Sequence, residues 1–118
     1  MSTLFNRIDT VFLQVTDMEI SIKWYTEVLG FQLRWYHKES GYAAINIGET
    51  PLTLVHANEV TPGTHAPFNF YTSDIKKAYE TLVNLGVEVE DIEDHGDVMS
   101  FHFKDPDNNL LGVCYFEE

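Results

Sequence analysis

Two rhythms of apolar residues run through this chain, and they occur in the same order twice. Ile8 to Val15 (Ile-Asp-Thr-Val-Phe-Leu-Gln-Val) is rich in β-formers and predicts a strand that stops at Thr16-Asp17, residues able to cap a helix. From Met18 to Leu29 the apolar positions Met18, Ile22, Tyr25, Val28 and Leu29 recur at helical spacing, and Gly30 stands where a helix C-cap belongs. Strands are predicted next at Phe31 to Tyr36, Tyr42 to Ile47 and Pro51 to His56, parted by turns at Glu39-Ser40-Gly41 and Gly48-Glu49-Thr50. Ala57 to Ala66, with Asn58, Pro62, Gly63 and Thr64, reads as a loop. The order then returns. Pro67 to Thr72 predicts a strand, and Ser73-Asp74 a cap. Ile75, Ala78, Tyr79, Leu82 and Leu85 mark a helix closed by Gly86, and Val87 to Ile92, Val98 to Phe103 and Leu110 to Phe116 predict three more strands.

This is an internal repeat of a β-α-β-β-β unit. Matching Gly30 to Gly86 sets Leu29-Gly30-Phe31 against Leu85-Gly86-Val87 and Asp17 against Ser73. The expected fold is α+β in a single domain, with one module at residues 7–57 and the other at 65–118. Successive strand residues point to opposite faces, so each strand has two rows. Val11, Leu13 and Val15 form an apolar row expected under the first helix; Phe68 and Phe70, then Met99, Phe101 and Phe103, do the same for the second. The opposite rows mix aromatic, small and neutral polar residues: Thr10, Phe12 and Gln14; Tyr42, Ala44 and Asn46; Thr53 and Val55; Pro67, Asn69 and Tyr71; Ser100 and His102; Leu110, Gly112 and Cys114. They carry no carboxylate. Such a face suits either a small-molecule pocket or a surface covered by a partner subunit.

The 118 residues fit one domain, and a chain of this size buries enough surface to fold without disulfides. The single cysteine, Cys114, cannot form an internal bridge, and no Cys/His metal spacing occurs. That points to a reducing, cytoplasmic setting. The N-terminal stretch does not read as a signal peptide, and no apolar run is long enough to span a membrane. The formal net charge is -12, which argues against nucleic acid as a partner. It serves solubility, and it also attracts cationic ligands. The acids read as spread along the chain rather than gathered into a tail.

Two motifs carry a resemblance. Val15-Thr16-Asp17 followed by Ser21-Ile22-Lys23-Trp24-Tyr25-Thr26-Glu27-Val28-Leu29-Gly30-Phe31 is similar to the pattern V-x-D, then S-x-x-F-Y-x-x-x-L-G-F. Asp105-Pro106-Asp107-Asn108-Asn109 before the last strand is similar to D-P-D-G-N. Both resemble the vicinal oxygen chelate superfamily, which includes glyoxalase, bleomycin resistance proteins, fosfomycin resistance enzymes and extradiol dioxygenases. The resemblance implies two tandem βαβββ modules forming curled mixed sheets around a cavity, usually in a homodimer. It also implies a divalent metal held by His, Glu or Gln from the first, fourth, fifth and eighth strands. Carried over by motif, those positions are Thr10, Thr53, Pro67 and Gly112. None suits a divalent ion, so no metal or other cofactor is expected. Asp9, next to Thr10, and His65, two before Pro67, could serve only a displaced site.

The expected ligand-binding residues are Thr10, Phe12, Gln14, Tyr42, Asn46, Thr53, Asn69, Tyr71, His102 and Cys114. Phe12, Tyr42 and Tyr71 would stack on a flat ligand; Gln14, Asn46 and Asn69 would orient it. His102 is the histidine of the mixed face and is expected near the ligand, as a hydrogen-bond partner rather than a base. Cys114 reads as an inert thiol. Trp35 and Tyr36 could edge the cavity or a dimer contact, and His37, His56 and His95 fall near turns. Catalytic residues are not assignable. Three functions stay open. One is a metal-free small-molecule binding protein of the sequestering or resistance type, its ligand cationic or aromatic. Another is a metal-dependent lyase, isomerase or dioxygenase with unusual ligands, and the third is a non-catalytic dimeric module.

Overall fold

The structure is a computed structural model in which residues 4–117 are described. It divides into two compact units, one ending at Val60 and the next beginning at Thr61. The first contains β1 (Val11–Val15), α1 (Met18–Lys23) continued by a π-helical turn (Trp24–Val28), β2 (Gln32–His37), β3 (Tyr42–Asn46) and β4 (Leu52–His56). The second contains β5 (Asn69–Tyr71), α2 (Ile75–Asn84), β6 (Glu93–Asp94), β7 (Met99–Lys104) and β8 (Leu110–Tyr115). Each forms a four-stranded mixed sheet of the same order, β1-β4-β3-β2 and β5-β8-β7-β6. In each the first and last strands run parallel and the other neighbours antiparallel. The fold is therefore α+β, built of two βαβββ modules. Among the described residues no helix is long and apolar enough to cross a membrane.

The apolar rows pack as strand parity requires. Register places Leu13 beside Leu54 and Ala43, and Leu52 beside Ile45. All five are buried, with Met18 and Tyr25 of the helical segment completing this core. Each large side chain fully removed from water contributes roughly 1.5–3 kcal/mol. In the second unit Phe101 pairs with Val113 and Phe103 with Leu111. Tyr79 of α2 meets Phe101 edge-on at 5.5 Å, and Phe70 stacks on Phe103 at 6.2 Å. Ile75 and Leu82 bring the buried stripe of α2 to this layer.

The two helical segments differ by one residue, and the π-turn holds the difference. Asp17 caps the first, its Oδ1 accepting from the Ile20 amide at 3.0 Å; Asp74 caps the second, accepting from the Lys77 amide at 3.1 Å. Asp17 therefore corresponds to Asp74, correcting the match to Ser73 made by counting back from the glycines. From cap to glycine the first unit is one residue longer, and the Leu29 amide reaches back five residues to the Trp24 carbonyl. Gly30 and Gly86 then close both segments at the same φ, +81°.

Three strand expectations shift. The first strand starts at Val11 rather than Ile8, and the fifth at Asn69 rather than Pro67, whose nitrogen has no proton for a ladder. Val87 to Ile92 does not form the sixth strand; the ladder lies at Glu93–Asp94 instead. The earlier stretch still borders β7 through Glu90 N–H to the His102 carbonyl, Lys104 N–H to the Glu88 carbonyl and one bridge, Val89 to Phe103. The pairing is interrupted rather than absent. On β2 the register shifts between Leu33 and Trp35, leaving Arg34 as the extra residue of a β-bulge.

The turn before β8 is organised by a buried carboxylate. Asp105 Oδ1 accepts from the amides of Asp107 and Asn109, both at 2.9 Å, and Oδ2 accepts from the Asn109 side-chain amide at 3.0 Å. Asn108, where the family pattern has glycine, takes φ 62°, a region asparagine tolerates better than most residues.

Three stability measurements follow from these details. Gly86→Ala meets no neighbouring atom, so its cost is that of a left-handed alanine, about 1–2 kcal/mol in urea unfolding. Ser21 is buried and, among the described residues, its hydroxyl has no hydrogen-bond partner, so Ser21→Ala is expected to raise stability by about 1 kcal/mol with an unchanged urea m-value. Asp105→Ala strips three donors of their charged acceptor and should cost about 3 kcal/mol.

Candidate functional site

In each unit the helix covers one face of the sheet, and a cavity lies on the other. In the first, register aligns Phe12 (β1), Thr53 (β4), Ala44 (β3) and Trp35 (β2) in one row across all four strands. The middle of that row is buried: Thr53 is 5% exposed and Ala44 2%. Its flanks stand up into solvent, with Phe12 60% and Trp35 46% exposed, and Tyr42, in the next row on β3, is 39% exposed. Small residues thus make a floor and aromatics make walls, enclosing about 330 Å³. Asp9, Thr10 and Arg34 complete the lining. Thr10 Oγ1 donates to the Pro51 carbonyl at 2.9 Å, and the Thr10 and Thr53 hydroxyl oxygens lie 2.7 Å apart. With the Thr10 proton so engaged, Thr53 is the donor between them.

Arg34 and Trp35 are adjacent in sequence, yet both line this cavity. Strict alternation would send them to opposite faces; the bulge turns both the same way. Arg34 Nε donates to Asn46 Oδ1, which fixes the guanidinium over the end of β3. Asn46, expected to orient a ligand, holds this arginine instead. Gln14 lies one register row further along, beside Val55, outside the lining.

In the second unit the corresponding row is Asn69, Gly112 and His102. A cavity of about 550 Å³ is lined by Asn69 and His102 together with His65, Glu90, Glu93 and Leu110. His102 Nδ1 is 3.9 Å from Glu90 Oε1, beyond hydrogen-bond reach. Six of the chain's acids, from Glu88 to Asp97, lie on and around β6, so carboxylates that read as dispersed are concentrated in one stretch of the chain. The Asn69 carboxamide lies over Gly112, in space a Cβ there would occupy. Tyr71 and Cys114 are register partners in the next row, and the Tyr71 hydroxyl donates to the Phe116 carbonyl at 2.9 Å.

Of the expected ligand residues, then, Thr10, Phe12, Tyr42 and Thr53 meet in one cavity, and Asn69 and His102 in the other. Gln14, Asn46, Tyr71 and Cys114 sit outside both linings. Sequence reasoning missed Arg34 because nothing in the residue pattern announces a bulge. It missed Glu90 and Glu93 because the sixth strand was expected at Val87 to Ile92, whereas the ladder lies at Glu93–Asp94.

A profile of the Glyoxalase/Bleomycin resistance protein/Dioxygenase superfamily matches residues 7–113. The chain belongs to that superfamily. Virulence protein STM3117 of Salmonella typhimurium is 29% identical over 126 residues, covering 96% of this chain and 86% of that protein. Among solved structures, TnmS3, an antibiotic binding protein from Streptomyces sp. CB03234, superposes with TM-score 0.85 at 21% identity, covering 98% of this chain and 100% of that one. A superfamily member from Sphaerobacter thermophilus gives TM-score 0.83 at 21% identity, covering 96% and 99%. These two establish likeness of fold.

The glyoxalase-superfamily resemblance assigned metal ligation to Thr10, Thr53, Pro67 and Gly112, and the residues present do not fit a divalent ion. Two are hydroxyls bonded to each other, one is a proline, and one is a glycine roofed by Asn69. Among the described residues no three His, Cys, Asp or Glu side chains are arranged to hold a metal. Asp9 pairs with Arg7 at 3.4 Å, and His65 Nδ1 lies 3.1 Å from the Thr64 hydroxyl.

Gly112→Ala tests the Asn69 roof. Only the end of a flexible side chain must move, so stability should fall by no more than about 1 kcal/mol. The Asn69 side-chain amide resonances should shift clearly; unmoved resonances would refute the packing described.

Proposed function

We propose that this superfamily member is a metal-free small-molecule binding protein of the sequestering type, with the first unit's aromatic-walled cavity as a principal contact surface. One observation carries this: Phe12, Trp35 and Tyr42 stand exposed around a floor whose hydroxyls are already bonded to each other. A volume of about 330 Å³ lies at the small end of ligand sites, enough for a fused two-ring aromatic. The antibiotic-binding role of TnmS3 supports the same reading, since that protein shares the fold. The lone cysteine and the family habit favour a cytoplasmic homodimer as its working form.

The rival is a metal-dependent lyase, isomerase or dioxygenase. Its support is the second cavity, where His65, His102, Glu90 and Glu93 share one lining. The two readings separate on untagged protein. Elemental analysis together with native mass spectrometry should find no stoichiometric ion, and aromatic binding should be indifferent to EDTA. One tightly held ion per chain, or activity restored by nickel, zinc or iron, would favour the enzyme. Replacing the wall residue in Trp35→Ala should weaken binding of a planar aromatic by about tenfold or more, measured by calorimetry.

A further inference from the structure

The bulge on β2 gives this cavity a chemical preference that its aromatic walls alone would lack. Arg34 is one of only seven basic residues in a chain with nineteen acidic ones. It lines the aromatic cavity beside Trp35, and its Nε is tied to Asn46 Oδ1. Among the described residues no carboxylate pairs with its guanidinium. The acid in the same lining, Asp9, is instead 3.4 Å from Arg7. A guanidinium presents five donors in a planar fork, and Nε accounts for one of them. The remaining donors suit a planar, bidentate acceptor, and a carboxylate matches that fork.

We propose that Arg34 selects aromatic ligands carrying a carboxylate or a similar planar anion, the ring lying against Phe12, Trp35 and Tyr42 and the anion meeting the guanidinium. This rests on the binding reading above and sharpens it. It also runs against the bulk charge, because a net charge of -12 would by itself favour a cationic ligand. Local geometry prevails because long-range fields are screened beyond roughly 8 Å at physiological salt, whereas a paired guanidinium acts at contact. Asn46 is then a positioning residue, acting on the ligand through Arg34.

The test uses three probes that share one ring system: 2-naphthoate, 2-naphthalenemethanol and 2-naphthylmethylammonium. Binding is followed by calorimetry and, in a Trp24→Phe background, by Trp35 fluorescence. The expected order puts 2-naphthoate about tenfold tighter than the alcohol, with the ammonium weakest. In Arg34→Met the ratio of naphthoate to alcohol affinity should fall from about tenfold to near one, whatever the substitution does to both probes alike; thermal unfolding of the variant shows that the fold is intact. Arg34→Lys should retain part of the preference, and Asn46→Ala should reduce it without abolishing it. Equal affinities for the three probes, an ammonium preference, or a naphthoate preference that survives Arg34→Met would overturn the role of Arg34 and leave the aromatic site standing. No binding of any probe up to millimolar concentration would remove both the site and the selection.

Discussion

The parallel pairing of the first and last strand closes each unit, and the rest of the architecture follows from it. A parallel pair cannot be joined by a tight turn; the chain must cross over one face of the sheet, and here it does so through the helix. That crossover decides which row of every strand is roofed and which is left open. The seam between the parallel strands also borders each cavity. Phe12 sits opposite Thr53 in one unit and Asn69 opposite Gly112 in the other. With Asp17 matched to Asp74, Phe12 and Asn69 fall at corresponding places, as do Thr10 and Pro67.

One repeated scaffold thus carries two different surfaces. The first unit presents aromatic rings, a hydroxyl pair and an arginine; the second presents imidazoles, a carboxamide and carboxylates. Nothing in the backbone order requires this divergence. It comes from the open rows, which are free to vary because the buried rows alone hold the sheets to their helices. The acidity of the chain divides the same way, with twelve of its nineteen acids at or after Thr61. Charge in this protein is a property of one module more than of the whole.

Most of the fold was legible because the signals agree across levels: cap, helical stripe and closing glycine recur together. The faces of the strands were legible too, since parity is a strong rule wherever one row is buried. Legibility failed where that rule is locally suspended. The bulge at Arg34 inserts a residue without changing composition, so the alternation of β2 could not reveal where the arginine points. The sixth strand failed for a related reason. Val87 to Ile92 alternates well, but its pairing with β7 is broken before it becomes a ladder. The role given to Asn46 failed at the bulge too: alternation put its carboxamide on the open face, and only the bulge brings Arg34 there to bind it.

The widened turn at Trp24–Val28 has a consequence beyond the helix that contains it. An added residue in an ordinary helix rotates everything after it by about 100° and would pull the next strand out of line. Here the slack is taken up between two anchors, the Asp17 cap and Gly30, and the chain leaves with the same glycine geometry as its counterpart at Gly86. The sheets are therefore insulated from length changes in their crossovers. A fold made by doubling one unit can let its two helices drift apart in sequence and size while both sheets keep the same plan.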